Sequence, residues 1–202
     1  MTQPPRARRV GVFGGSFDPV HRAHVALAES ALAELRLDEL RWIPAGQPWQ
    51  KTRRITAAAQ REAMVRLAMG DEARFVLERC ELERSGPSYT LDTVRELRVR
   101  EPQAQWFLLI GQDQYAGLHS WHGWRELLGL VTLAVANRPG PLQLPDAAVR
   151  AFPHRAVPLP MMDIASTTVR ARVAAGQPIA ELVPAGVARY IEEHHLYSSP
   201  PG

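Results

Sequence analysis

Apolar and polar positions follow two rhythms along the chain: short runs rich in β-branched and aromatic residues, and longer stretches with helical spacing. "RRVGVFGG" (8–15) is an apolar run stopped by two glycines and predicts a first strand. In "HVALAESALAELRL" (24–37), Val25, Ala28, Leu32 and Leu35 fall on one helical stripe. "ELRWIPAG" (39–46) predicts a second strand, "TAAAQREAMVRLAMG" (56–70) a second helix ended by Gly70, "RFVLERCEL" (74–82) a third strand and "SYTLDTVRELRVR" (88–100) a third helix. "QWFLLIGQD" (105–113) is almost continuously apolar, which suits a strand buried on both faces. "WHGWRELLGL" (121–130) predicts a short helix, "VTLAVANRPG" (131–140) a fifth strand and "HRAVPLP" (154–160) an edge strand, demoted by its prolines. Two helices close the chain, "STTVRARVAAG" (166–176) and "PAGVARYIEEHHL" (184–196).

Strands alternating with helices predict an α/β fold: a Rossmann-like, doubly wound parallel sheet with right-handed crossovers, in a single domain with C-terminal helices. Ligands are then expected at the C-terminal ends of the strands. The expected organisation is one domain over 1–202, with an α/β core over 8–163 and a helical part over 164–197. "RPGPLQLP" (138–145) is the most linker-like segment, too short to separate two folded units, and no internal repeat is visible.

Composition narrows the choice of partners. No apolar run reaches the roughly 18 residues of a membrane span, and "MTQPPRARR" leads into a short strand rather than a secretory apolar region, so a cytoplasmic protein without membrane association is expected. Cys80 is the only cysteine. It excludes an intrachain disulfide or a multi-cysteine zinc site, and reads as a small strand residue. A formal charge of +3 suits anionic ligands. Its arginines are spread along the chain, so small phosphorylated substrates account for the balance as well as nucleic acid does, and no dense basic patch marks a nucleic-acid binder. The oligomeric state is not written in the sequence.

The densest chemistry lies in "VGVFGGSFDPVHRAH" (10–24). Gly14 and Gly15 follow the first strand, where missing Cβ atoms let a ligand approach the backbone, and amides at the next helix start could face an anion. Neither the dinucleotide G-x-G-x-x-G nor the Walker A spacing is present. His21 and His24, at i and i+3, share a face. A metal pair lacks a glutamate or cysteine partner nearby, and a purely structural pair is the reading for two histidines in isolation; glycines, helix start and histidines together favour phosphate. Near the C-terminus, in "IASTTVR" (164–170), Ser166 or Thr167 can cap a helix while Arg170 adds a charged fork.

"GGSFDPVHRAH" resembles the G-G-[ST]-F-D-P-x-H-x-G-H signature of the nucleotidyltransferase superfamily, with Ala23 where glycine is usual, and "IASTTVR" resembles its I-S-[ST]-T-x-[IV]-R motif, with Ala165 for the first serine. "PSYT" (87–90), "IGQD" (110–113), "SWHGWREL" (120–127), "NRPG" (137–140) and "YIEEHHLY" (190–197) extend the likeness to the bacterial nicotinate-nucleotide adenylyltransferase family over most of the chain. The resemblance implies ATP as donor, nicotinate mononucleotide as acceptor, and Mg²⁺ carried mainly by ATP phosphates and water, with no protein metal site. It implies that His21, His24 and Arg170 are catalytic. Gly14, Gly15, Ser16, Phe17, Ser166, Thr167, Lys51 and Arg138 would bind ATP. Tyr89, Thr90, Trp121, Gly111 and Asp113 would hold the nicotinate nucleotide. Trp121 would stack on the ring and Asp113 would meet a ribose hydroxyl; Trp124 is the better core candidate of the two tryptophans. Asp18 would order the loop, with a metal-linked role as the alternative, and Arg138 has the alternative of a surface arginine beside a turn. Gln50 stands where the family often has histidine, so the basic role in that loop falls to Lys51. "QPWQKTRRI" (47–55) is the segment expected to move on binding. Rival readings are another acceptor, nicotinamide mononucleotide or phosphopantetheine, and a nucleotide sensor without turnover.

Overall fold

The computed structural model describes residues 6–48, 55–137, 144–159 and 162–198. In chain order its elements are β1 (Arg9–Gly15), α1 (Arg22–Glu34), β2 (Glu39–Pro44), α2 (Ala58–Met69), β3 (Phe75–Leu77), α3 (Cys80–Glu83), α4 (Thr90–Arg100), β4 (Gln105–Ile110), α5 (Gln112–Ala116), α6 (Trp124–Leu130), β5 (Thr132–Asn137), α7 (Ala147–Arg150), β6 (His154–Pro158), α8 (Ser166–Ala174) and α9 (Ala185–Glu193). The strands form one six-stranded sheet in the order β3-β2-β1-β4-β5-β6, with every pairing parallel. This is the doubly wound α/β arrangement that the alternation predicts.

Strand alternation divides the core in two. From β1, Phe13 points to one face with Leu40 and Trp42 of β2; there the stripe of α1, Met64 and Val65 of α2, Val169 of α8 and Val187 of α9 cover the sheet. Val10 and Val12 point to the other face and meet Leu91, Val94 and Leu97 of α4, Trp124 and Leu127 of α6, and Val149 of α7. Each apolar side chain buried this way contributes about 1.5–3 kcal/mol. The C-terminal helices thus share the core of the sheet. After β3 the chain crosses to the far side of β1 and adds β4, so the order reverses between β1 and β4. At that switch point the strand ends splay and leave a crevice.

Three local readings are corrected. The third strand stops at Leu77, and Cys80 begins helix α3 instead of continuing a strand. The Glu78 carboxylate accepts the Cys80 N–H at 3.1 Å, which starts the helical turn where the strand alternation would have run on. "IGQD" does not end as strand: Gly111 is the N-cap of α5, and Asp113 lies in its first turn. Helix α7 follows the linker-like segment and is started by Asp146, whose side chain accepts the Ala148 N–H at 2.8 Å. β6 is an edge strand, as its prolines indicate. No described helix is long and apolar enough to cross a membrane.

Candidate active site

β1 ends at Gly14 and Gly15, and the chain turns into α1 through Ser16–Val20. Gly14 is exposed, and a Cβ built on it would meet only the Ile43 carbonyl, at 4.0 Å. Nothing in the protein's packing requires a glycine there, so the open space beside it is available to a ligand. Phe17 takes a left-handed φ of 46° and buries its ring against Phe13 and Trp42.

His21 is the N-cap of α1 and His24 its third residue. Their rings stack at 3.6 Å with 23° between planes, so the pair forms one surface. The His21 backbone N–H donates to His24 Nδ1 at 3.2 Å. That bond fixes the ring's chemistry: with Nδ1 as acceptor, the proton of the neutral imidazole sits on Nε2, which is then a donor. The ring is braced by Phe17, edge-on at 5.2 Å. Ala23, between the histidines, is only 3 % exposed and faces the core, not the open crevice.

The "IASTTVR" stretch meets this turn directly. The Ser166 hydroxyl donates to the Pro19 carbonyl at 2.9 Å, and Arg170 Nη1 to the Asp18 carbonyl at 2.7 Å. The expected cap is corrected: Ala165, not Ser166 or Thr167, is the N-cap of α8, and no side chain caps it. Ser166 is already the first helical residue and uses its hydroxyl to hold the neighbouring loop. No side chain therefore neutralises the partial positive charge at the first turn of α8.

Asp18 is fully buried. Its carboxylate accepts the Tyr197 hydroxyl at 2.7 Å and lies 3.5 Å from the Thr56 backbone N–H. These contacts tie the turn to α2 and the C-terminal segment, as the loop-ordering reading of Asp18 expects. Burial, together with the Asp18 carboxylate that the hydroxyl serves, pushes the Tyr197 pKa well up. Arg61 of α2 is 1 % exposed and donates to the carbonyls of Thr56 (2.9 Å), Ser16 (2.9 Å) and Gly46 (3.4 Å). Burial lowers its pKa, against the attraction of Asp18. Neither Arg61 nor Tyr197 was picked out from the sequence: an arginine in an amphipathic helix reads as solvent-facing, and a terminal tyrosine as core. Among the described residues no cluster of three or more His, Cys, Asp and Glu could hold a metal ion.

A second group of expected site residues gathers at the start of α4. Tyr89, its N-cap, stacks on His122 at 4.5 Å and 28°, which joins the "PSYT" loop to the "SWHGW" segment. The contact depends on Gly123: its φ is 60°, and a Cβ there would fall 2.3 Å from Leu91 Cδ2. His122 is a further residue that the sequence did not single out. Trp121 is half-buried beside this pair, whereas Trp124 is buried and edge-on to Phe152 at 5.8 Å, as a core residue should be. Thr90 begins α4, Gly111 ends β4 with an open flank, and Asp113 is exposed. Lys51, Gln50 and Arg138 lie outside the described residues, as does most of "QPWQKTRRI". Cys80 is buried, and burial beside Glu78 and Glu81 pushes its thiol up to about 12, which leaves it inert at neutral pH.

Comparison with known proteins gives the family of the chain. The cytidylyltransferase-like family model matches residues 12–172. A protein of Methylibium petroleiphilum named "Probable nicotinate-nucleotide adenylyltransferase" is 52 % identical over 201 residues, covering 96 % of this chain and 95 % of the relative. One of the same name from Albidiferax ferrireducens is 45 % identical, covering 95 % and 99 %. The chain belongs to the nicotinate-nucleotide adenylyltransferase family. A solved structure of the Plasmodium falciparum nicotinic acid mononucleotide adenylyltransferase complexed with NaAD superposes with a TM-score of 0.79 at 18 % identity, over 94 % of this chain and 97 % of that one. At that identity the likeness concerns the fold, and it extends the adenylyltransferase architecture from the glycine turn to the C-terminal helices.

Proposed function

We infer that the protein transfers the adenylyl group of ATP to nicotinate mononucleotide, giving deamido-NAD and pyrophosphate, and so serves NAD biosynthesis. The observation that carries this reading is the joining of two phosphate motifs, 147 residues apart in sequence, at one turn: Ser166 and Arg170 bond the carbonyls of Pro19 and Asp18, beside the stacked histidines.

The acceptor brings its own nucleophile, a phosphate oxygen that attacks the α-phosphorus of ATP in line and expels pyrophosphate. No covalent protein intermediate is needed, so the protein's work is alignment and neutralisation of growing charge. His24 would offer Nε2–H to the α-phosphate, a bond that strengthens as charge develops there; His21 would sit nearer the triphosphate. Gly14, Gly15, Ser16 and Phe17 would form the cradle beneath it. Ser166 and Thr167 would serve through the uncapped N–H groups of α8, and Arg170, aimed by its bond to Asp18, would meet the β- and γ-phosphates. Lys51 and Arg138 would add positive charge for the ATP phosphates. Mg²⁺ would arrive with ATP as part of the co-substrate and would supply neutralisation of triphosphate charge, with no protein ligand required. On the acceptor side Trp121 would stack on the nicotinate ring, Tyr89 and Thr90 would enclose it, Gly111 would leave room at the strand end and Asp113 would accept from a ribose hydroxyl. A cytoplasmic location is part of the same proposal.

Pyrophosphate release measured with ATP, Mg²⁺ and each acceptor separately tests the reading. Release with nicotinate mononucleotide well above that with nicotinamide mononucleotide or phosphopantetheine is expected. Preference for another acceptor overturns the substrate, and no release with any of them overturns the reaction.

A further inference from the structure

The donor and acceptor groups stand on separate loops, yet in-line transfer requires the attacking oxygen and the α-phosphorus to be held at a fixed separation. We propose that Arg61 is a positioning residue which, through Gly46 and Ser88, forms a strut setting the phosphate turn against the acceptor loop. This rests on the reading of Tyr89 and Trp121 as the acceptor's clamp.

One guanidinium reaches three loops. Nη1 donates to Ser16 in the phosphate turn, Nη2 to Gly46 after β2, and Nε to Thr56 before α2. From Gly46 the connection continues: the N–H groups of Gly46 and Gln47 both donate to Ser88 Oγ, at 3.0 and 3.2 Å, and the Ser88 N–H donates back to the Gln47 carbonyl at 3.0 Å. Ser88 is the neighbour of Tyr89, whose ring is stacked on His122. The far end is anchored as well. Thr93 donates to the buried Glu81 carboxylate at 2.7 Å, and Gly46 packs so tightly on the Glu81 carbonyl that a Cβ would come within 2.0 Å of it. The path from Ser16 to Tyr89 therefore consists of fixed backbone groups and two side chains, Arg61 and Ser88.

Packing alone does not account for an arginine at this place. The buried face of α2 otherwise consists of Met64, Val65 and Ala68, and another apolar residue would cover the sheet without burying a charge. Among the described residues no carboxylate lies within ion-pairing distance of Arg61; its hydrogen-bond partners are three carbonyl oxygens, and the buried Asp18 attracts it only at longer range. What arginine brings is a planar fork with donors in three directions, which lysine does not have.

The test uses the full chain, with wild type, Arg61→Lys, Ser88→Ala and the double variant compared at equal folded concentration by near-UV circular dichroism. For each, kcat and both KM values are measured with MgATP and nicotinate mononucleotide. Each single variant is expected to lose about tenfold to a hundredfold in kcat, with both KM values within about threefold of wild type, since misplacement penalises the transition state more than either ground state. The double variant should be no worse than the more impaired single, because both substitutions break one connection. Unchanged kcat in the folded single variants, or losses that multiply in the double variant, would overturn the strut. Absence of turnover in wild type would instead contradict the activity itself. Ser88→Ala keeps the test open if Arg61→Lys does not fold.

Discussion

Arginines crowd two regions of this molecule and do different work in each. Where β2 begins, Arg41 lies over the Trp106 ring at 5.3 Å, bonds Glu39 at 2.6 Å and Glu101, and approaches Glu78 at 3.6 Å, while Arg8 reaches Glu39 and Glu101. Burial pulls the Arg41 pKa down, but the bonds to Glu39 and Glu101 outweigh it and the net shift is upward. Each arginine there has carboxylate neighbours, so its charge is compensated within the fold. Around the phosphate turn, Arg61 and Arg170 donate to backbone carbonyls of the loop they hold. Under the proposed function, positive charge beside this turn serves a phosphate; positive charge inside a net of carboxylates is already compensated. Residue type is the same in both places, and the partners decide its function.

Substitutions can break that contrast from either side. Arg170→Met should lower kcat/KM for ATP by about 10²–10³-fold while costing no more stability than one charged hydrogen bond, about 2 kcal/mol; steady-state kinetics beside urea denaturation reads both. A stability loss without a kinetic one would place Arg170 with the structural arginines. Arg41→Met should do the reverse, costing about 3 kcal/mol by stranding buried carboxylates with kcat of the folded protein unchanged. It also has an acid signature. Burial raises the Glu101 pKa, but Arg41 and Arg8 outweigh that and hold it below its ordinary 4.5. The pair's stabilisation is thus full above that value and is lost as pH falls through the lower, folded value. In Arg41→Met this acid-side decline should become shallower in denaturation curves; an unaltered decline would remove Glu101 from the network. Smaller still, Trp121→Ala should raise KM for the acceptor about threefold to tenfold, the size of one aromatic stack, with KM for ATP unaffected. A shift in the ATP constant alone would reject the stacking role.

Much of this was legible in the sequence, for identifiable reasons. The sheet follows from strand runs buried on both faces, and the glycine–histidine turn, the candidate phosphate site, from residues close together in the chain. What escaped were features decided by distant partners. Cys80 continues a strand-like pattern, and a local bond from Glu78 turns it into helix. Ser166 is a good cap by type, but the Pro19 carbonyl claims its hydroxyl and leaves the cap position to Ala165. The Ala23 departure from the family signature, whose consequence the sequence left open, lies on the buried face of α1. Arg61 and Tyr197 matter through loops far from them in sequence, and no periodicity marks that.

Under the proposed function, fixed donors at the glycine–histidine turn act on charge that develops during transfer, with His24 foremost among them. Measuring kcat and the ATP dissociation constant on the same folded His24→Ala protein tests this most directly. A fall in kcat of about 10²–10³-fold is expected, with ATP binding changed by less than about threefold. Losses of equal size in binding and turnover, or near-normal turnover, would contradict it.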